Sequence, residues 1–244
     1  MHSYVTMLDY SKKHPDHSSA TFDRILQIEI EEILQFKDKI ALTADLHSTH
    51  KMYSAFLEAS EALMQSIDKK DPYMAGHTKR VVTISEIIAH YLDLSPVEKQ
   101  NLKIAALLHD IGKIGIPPNI LAKEDKLTAS EYKEIQKHPL IGVKIIGHGE
   151  HLKDVIPGMC YHHERSDGNG YPEGLKDSSI PLSARIIAVA DAYDAMTTNR
   201  PYQSALDSRE AIAELQRCTG VQFDKQVVSA FIKAYDNGEI TTGN

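Results

Sequence analysis

Apolar residues recur at helical spacing along most of the chain. Between residues 22 and 67, Leu26, Ile30 and Ile33 begin an apolar stripe with spacings of three and four, and charged residues fill the other faces. This pattern predicts two long amphipathic helices, or one bent helix, with a heptad-like seam. We expect residues 1–70 to form an N-terminal helical arm that is regulatory or dimerising, and its helices are a candidate homodimer interface.

From residue 71 onward, capping signals mark where helices start. Ser95, Thr128 and Asp207 each precede a Glu by three residues, as in a capping box. With the apolar periodicity, these signals predict helices at about residues 75–92, 96–109, 129–137, 139–147, 151–163, 182–196, 208–217 and 224–236. Strand signals are nearly absent, so the predicted class is all-α, with a helical bundle over residues 71–244.

Two loops rich in Gly and Pro interrupt this bundle, at residues 111–126 and 165–181. Loops of such length inside a compact domain usually carry function.

The composition excludes several classes of protein. With 42% hydrophobic and 25% charged residues, the chain is typical of folded globular domains. A net charge of -7 disfavours binding to a nucleic acid polymer, which needs a basic face. No apolar run approaches the roughly 20 residues that span a bilayer, and the first residues lack the apolar core of a signal peptide. The sequence thus predicts a cytoplasmic protein without membrane contact.

The chain contains 13 histidines, which crowd together with acidic residues around the first loop and before the second. The candidate metal ligands are His77, His109, Asp110, His138, His162, His163 and Asp191. Imidazoles mixed with carboxylates suit Fe, Mn, Ni or Zn and not a closed structural zinc site, which favours thiolates. Seven ligands exceed the need of one tetrahedral ion. They fit two divalent ions bridged by a carboxylate such as Asp110, an arrangement that promotes in-line phosphoryl displacement.

Three long motifs resemble one family. They are LLHDIGKIGIP (Leu107–Pro117), HHERSDGNGYP (His162–Pro172) and DAYDAMTTNRPY (Asp191–Tyr202). In this order they resemble the HD-GYP family, a branch of the HD-domain metal-dependent phosphohydrolases, over roughly residues 71–236. The resemblance implies an all-helical catalytic domain with a two- or three-metal centre. Its implied reaction is hydrolysis of a cyclic dinucleotide, chiefly cyclic di-GMP, to the linear dinucleotide.

The resemblance also implies a role for each candidate residue. One metal would be held by His77, His109, Asp110 and Asp191, and the other by Asp110, His138, His162 and His163. The implied catalytic residues are Lys113, Asp110 and Asp194, with Lys113 touching the scissile phosphate and Asp194 assisting the water or the ligands. Arg200 would hold a substrate phosphate. Tyr171, in the loop that names the family, would either contact the substrate or pack the loop.

Two departures from the family pattern bear on the metal count and on the substrate. Tyr73 stands where some members carry a Glu ligand for a third metal, so we expect two ions. Gln203 stands where the family usually has a basic residue, which leaves cyclic GMP-AMP open beside cyclic di-GMP. The alternatives are another HD-type nucleotide phosphohydrolase and a receptor that binds the dinucleotide without cleaving it.

Overall fold

The computed structural model describes residues 58–64, 76–123, 125–147, 152–199 and 205–240. All of them belong to one unit of the chain, Leu57–Asn244. Most of the predicted arm lies outside the described residues, as do Tyr73, Arg200 and Gln203. The homodimer through the arm, the domain boundary at residue 70 and the cytoplasmic location therefore stay predictions.

The described residues form a succession of helices, which confirms the all-α class. The α-helices are α1 (His77–Tyr91), α2 (Pro96–Leu108), α3 (Pro118–Leu121), α4 (Ala129–Ile135), α5 (His138–Ile146), α6 (Ile156–Cys160), α7 (Leu182–Thr197), α8 (Ser208–Arg217) and α9 (Lys225–Asp236). Two 3₁₀ segments, Ile111–Gly115 and Asp177–Ser179, lie between them. In this part of the chain the only β-type pairing is an isolated bridge between Thr219 and Phe223.

The three predicted capping boxes are present. The side chain of Ser95 accepts from the backbone N–H of Glu98 at the start of α2, and the Glu98 carboxylate accepts from the Ser95 N–H in return. Thr128 and Asp207 do the same at the starts of α4 and α8. Each box satisfies backbone donors that have no partner inside the helix, which is why these helices begin where the sequence predicted.

Two predictions about helix extent were wrong. A helix was predicted over residues 151–163, but the α-helix observed there is only α6, Ile156–Cys160. It starts late because Pro157 is favoured in the first turn of a helix. At its other end the His162 ring donates to the carbonyl of Met159. Residues 111–126, predicted as a loop, contain the 3₁₀ segment Ile111–Gly115 and the short helix α3.

The core lies between α1, α2, α7 and α9. Helix α1 packs against α2, α7 and α9, and α7 also contacts α6 and α8. The rings of Tyr193 on α7 and Phe231 on α9 are 4.8 Å apart and both side chains are fully buried. These helices form the rigid support for side chains at their ends.

Residue 112 brings two parts of the chain into backbone contact. A Cβ atom at Gly112 would lie 1.8 Å from the carbonyl oxygen of His138 and 2.5 Å from the backbone nitrogen of Gly142. Only glycine permits this approach of the 3₁₀ segment to α5. The contact places Asp110, two residues earlier, beside His138.

Residues 58–64 are helical and pack into the same unit. Ser60, Leu63 and Met64 are buried there, whereas Glu58 and Glu61 are exposed. None of the described helices combines the length and apolar character that crossing a membrane would need.

Candidate metal centre

Three candidate ligands follow the C-terminal ends of α2, α4 and α6. Each imidazole turns its Nδ1 toward a backbone carbonyl three residues earlier, joining His109 to Ala106 at 2.7 Å, His138 to Ile135 at 2.8 Å and His162 to Met159 at 2.6 Å. A carbonyl only accepts, so each Nδ1 donates, and Nε2 is the nitrogen that remains to bind a cation. Helix ends with unpaired carbonyls thus orient three Nε2 atoms toward a common point.

Asp110 lies at the centre of the candidate ligands. Its Oδ1 is 3.3 Å from His138 Nε2, and its Oδ2 is 3.4 Å from His109 Nε2 and 3.8 Å from His77 Nε2. The two oxygens therefore face different histidines. A carboxylate with this orientation can bridge two cations.

The seven predicted ligands fall into two groups. In each group the ligand atoms lie within 4.8 Å of one another, and the members are Asp110, His138, His162 and His163 in one and His77, His109 and Asp191 in the other. We call these the four-residue group and the three-residue group. The family resemblance implied the same two sets, except that it placed Asp110 in both.

Three buried atoms of this cluster have no hydrogen bond. Among the described residues, His77 Nε2, His109 Nε2 and Asp110 Oδ1 are fully buried without a hydrogen bond. Buried polar atoms are costly unless they are paired or coordinated. The donor set and these unpaired atoms fit divalent cations.

Electrostatics keep the four-residue group in the state that binds cations. Burial lowers the pKa of His138 to about 3 and the pKa of His163 to about 4. Burial and the neighbouring imidazoles also hold the pKa of His162 well below its usual value. These rings are therefore neutral at pH 7, as metal ligands must be.

His109 and Asp110, which directly precede the 3₁₀ segment Ile111–Gly115, are charged instead. Burial raises the pKa of Asp110, but the charges of Lys113 and His109 outweigh it and hold this pKa well below the usual range. Burial lowers the pKa of His109, but Asp110 outweighs it and raises the value to about 8. A cation that binds His109 must therefore displace a proton.

His77 is oriented differently from the other histidines. Its Nδ1 lies 2.7 Å from Oδ2 of Asp194, and its Nε2 lies 3.4 Å from Oδ1 of Asp191. Arg80 donates from Nε to Oδ1 of Asp194 and from Nη2 to Oδ2 at 3.1 Å. Asp194 thus lies behind His77, on the side away from the cluster.

Lys113 lies beside the cluster and Tyr171 covers part of it. Lys113 Nζ donates to Oδ2 of Asp110 at 2.6 Å. The ring of Tyr171 stacks on His163, with centroids 4.8 Å apart and planes inclined by 26°. Arg200, the predicted phosphate ligand, lies outside the described residues.

Sequence reasoning missed two residues that shape this site, Arg80 and Glu164. Arg80 follows His77 by three residues and so shares its face of α1, which is the signal that could have found it. Glu164 is a buried carboxylate directly after His163, and its backbone partners have no signature in the sequence.

Comparison with known proteins agrees with this geometry. The family model described as HD domain matches residues 61–227, which is more than half of the chain. A cyclic di-GMP phosphodiesterase of Thermotoga maritima is 40% identical over 184 residues, covering 74% of this chain and 50% of the relative. A 3'3'-cGAMP-specific phosphodiesterase 3 of Vibrio cholerae is 36% identical over 181 residues, covering 74% of this chain and 39% of the relative. The chain thus spans about half the length of such relatives, or less.

Solved structures show the same fold. Bd1817, a HDG"Y"P protein from Bdellovibrio bacteriovorus, matches with a TM-score of 0.58 at 20% identity, over 90% of this chain and 72% of that one. A cyclic GMP-AMP specific phosphodiesterase of V. cholerae matches with a TM-score of 0.52 at 22% identity, over 74% of this chain and 49% of that one. The chain therefore belongs to the HD domain family, within its HD-GYP branch.

Proposed function

We propose that the chain is a metal-dependent phosphodiesterase that hydrolyses a cyclic dinucleotide, cyclic di-GMP or 3′,3′-cyclic GMP-AMP, to the linear dinucleotide. Two divalent cations, drawn from Fe, Mn, Ni and Zn, are its proposed cofactors. These are the substrates in the names of the two phosphodiesterases described above. The chain aligns with 50% of the length of one of them and 39% of the other.

The observation that carries the proposal is the position of Asp110 between the histidines of the four-residue group and those of the three-residue group. Its two oxygens face His138 on one side and His109 with His77 on the other. Paired cations, when bound, would supply Lewis-acid activation of water and neutralise charge on the phosphate. An acidic protein of net charge -7 would otherwise repel an anionic substrate.

The side chains of the protein would do the remaining work. Lys113, whose ammonium is at Asp110, lies within reach of a phosphate at the centre and would stabilise its developing negative charge. Water adds to phosphorus, the bond from phosphorus to the 3′ oxygen breaks, and the 3′ oxygen leaves with a proton. Arg200 is the proposed ligand for a substrate phosphate.

Of the two roles that the resemblance implied for Asp194, assisting the water or the ligands, we propose the second. Both of its oxygens are engaged by His77 and Arg80, and the carboxylate is buried. It would act through the orientation of His77, as a positioning residue, and not on the water.

A turnover assay tests the function directly. Purified chain is supplied with Mn²⁺ or Fe²⁺ and offered cyclic di-GMP and 3′,3′-cyclic GMP-AMP separately, with linear product followed by chromatography. Asp110→Ala should abolish hydrolysis, whereas Asp236→Ala, at an exposed position on α9, should retain it. Full activity in Asp110→Ala would contradict the proposed centre.

The same assay separates the alternatives. Binding of either dinucleotide without cleavage would indicate a receptor, and cleavage of mononucleotides alone would indicate another HD-type phosphohydrolase. Cleavage of one cyclic dinucleotide at least tenfold faster than the other would assign the substrate.

A further inference from the structure

Glu164 is a buried carboxylate whose oxygens are occupied by the backbone of a later segment. Oε1 accepts from the N–H groups of Glu173 at 2.7 Å and Gly174 at 3.0 Å, and Oε2 accepts from the N–H of Leu175 at 3.0 Å. Hydrogen bonds to a charged acceptor are stronger than those between neutral groups, and three of them converge here. Glu164 therefore ties the end of the loop at residues 165–175 to its beginning.

The same loop crosses back over its own first residues. A Cβ atom at Gly170 would lie 2.5 Å from the backbone nitrogen of Arg165 and 2.6 Å from the carbonyl oxygen of His163. The next residue, Tyr171, donates its backbone N–H to that same carbonyl at 3.2 Å. The loop is thus closed at two points, both within one residue of His163.

The closure determines where the Tyr171 ring lies. The ring stacks on the imidazole of His163 and also meets the His138 ring edge-on, with centroids 6.5 Å apart. Backbone carbonyls orient the rings of His109, His138 and His162, and the Asp194 carboxylate orients His77. The His163 ring contacts the rings of His138, His162 and Tyr171. Among these three, the Tyr171 ring is the one that lies nearly parallel to the imidazole, so it is positioned to restrict the plane of His163.

We propose that Glu164 is a positioning residue for the four-residue group. By gathering the three N–H groups of residues 173–175, it closes the loop, seats the Tyr171 ring on His163 and holds this imidazole in the orientation that receives a cation. This inference rests on the proposed function, because the cation is one of the two that the proposed reaction requires.

The test compares Glu164→Gln with Glu173→Gln. The amide that Glu164→Gln introduces keeps one acceptor oxygen, but its NH₂ group would face the N–H of Leu175, so one bond is replaced by a donor–donor contact. The Glu173 side chain is exposed, and its hydrogen-bond partner among the described residues is the hydroxyl of Tyr161. Its replacement therefore matches the charge change without altering the closure.

Two measurements follow on the metal-free chains. In hydrogen exchange, the protection factors of the backbone amides of residues 173–175 should fall at least tenfold in Glu164→Gln and stay unchanged in Glu173→Gln. In a calorimetric titration, Glu164→Gln should bind one of two equivalents of Mn²⁺ about tenfold to a hundredfold more weakly. Losses of this size are typical when a residue that orients a metal ligand is replaced. The other equivalent should be unchanged.

A second variant keeps the test decisive if Glu164→Gln does not fold. Tyr171→Ala leaves the carboxylate and its three bonds in place but removes the stacked ring, and it should weaken the same single equivalent. Unchanged affinity for both equivalents in Tyr171→Ala, or unchanged amide protection in Glu164→Gln, would overturn the proposal. Absence of any Mn²⁺ binding by the unmodified chain would instead refute the proposed function, and hydrogen exchange would still report on the closure.

Discussion

Asp194 Oδ2 lies 2.7 Å from His77 Nδ1 across 117 residues of sequence, and both side chains are buried. Burial raises the pKa of Asp194, but the hydrogen bonds from His77 and Arg80 outweigh it, so the pKa is lowered and the carboxylate stays charged. A charged carboxylate fixes the proton of His77 on Nδ1 and leaves Nε2 with a lone pair. His109, His138 and His162 are oriented by backbone carbonyls instead. His77 thus depends on a side chain that mutation can change.

Asp194→Asn should weaken cation binding by the three-residue group. Asparagine can still accept from Nδ1, but it lacks the charge that makes the imidazole a stronger ligand and that pairs with Arg80. Loss of such support typically costs tenfold to a hundredfold in metal affinity. Calorimetric titration with Mn²⁺ should show one of two equivalents weakened by that factor.

The matched control for this change is Asp236→Asn on the exposed end of α9. It alters the net charge equally and should leave both equivalents unchanged. If Asp194→Asn bound Mn²⁺ as tightly as the unmodified chain, Asp194 would not act through His77.

Helix starts were predictable from the sequence because their causes are local. The boxes at Ser95, Thr128 and Asp207 need only two residues separated by three positions. The end of α6 was not predictable in this way. It depends on the His162 ring, whose Nδ1 donates to the carbonyl of Met159. His162 lies in the cluster of candidate ligands, and that cluster forms only when distant parts of the chain have packed together.

The candidate ligands were predictable from their residue types, but the residues that support them, Arg80 and Glu164, were not. Imidazoles and carboxylates at motif spacing indicate coordination whatever the surrounding fold. Arg80 reaches Asp194 across 114 residues of sequence, and Glu164 binds backbone amides that any sequence possesses. Such contacts exist only once the helices have packed. The sequence shows that Arg80 shares a face of α1 with His77, but it does not show that Arg80 reaches Asp194.

Gly112→Ala should destabilise the protein and disturb the centre together. Its Cβ would lie 1.8 Å from the carbonyl oxygen of His138, and backbone atoms cannot move aside as a flexible side chain can. Overpacking of this kind costs about 1–3 kcal/mol or more in the free energy of unfolding. Urea unfolding measures this cost, and calorimetry should show weaker Mn²⁺ binding because Asp110 moves away from His138.

Gly115→Ala in the same 3₁₀ segment provides the comparison. Its Cβ would meet the Cγ2 of Ile141 at 2.9 Å, which is a side-chain atom, so the change should cost about 1 kcal/mol or less. Equal destabilisation by the two substitutions would show that the backbone contact at Gly112 has no special weight.

Tyr171→Phe distinguishes the two roles that the sequence left open for this ring. If the ring packs on His163, as its 4.8 Å stacking indicates, Phe preserves the contact and both KM and Mn²⁺ affinity should stay within about twofold of the unmodified chain. A rise of tenfold in KM at unchanged metal affinity would show that the hydroxyl contacts the substrate. Steady-state kinetics on the preferred cyclic dinucleotide make this measurement.

Asp224 should make stability depend on pH in the acid range. Burial raises its pKa, but the N–H groups of Val227 and Gln226 and the charge of Arg185 outweigh this effect and lower it. A lowered folded-state pKa means that the stabilisation is complete above the unfolded value, near 3.8, and is lost as pH falls through the folded value. The stability advantage over Asp224→Asn, which keeps a capping oxygen but no charge, should therefore vanish in strong acid.

Asp224→Ala removes the cap as well and should cost about 1–2 kcal/mol at pH 7, more than Asp224→Asn. Urea unfolding of the three chains between pH 2.5 and pH 7 separates the contribution of the cap from that of the charge. A constant difference between the unmodified chain and Asp224→Asn over this range would mean that the charge of Asp224 contributes nothing to stability.

Truncation tests where the catalytic unit begins and whether the arm dimerises. Leu63 and Met64 are buried in the unit that starts at Leu57, although the sequence placed them in the arm. Deleting residues 1–65 should therefore lower the free energy of unfolding by about 3–6 kcal/mol relative to deleting residues 1–56, since burying each of these two side chains contributes about 1.5–3 kcal/mol. If the arm holds a homodimer, light scattering should find both truncated chains monomeric and the full chain dimeric. An unchanged mass would contradict that interface, and equal stability of the two truncated chains would show that residues 57–65 are not part of the folded unit.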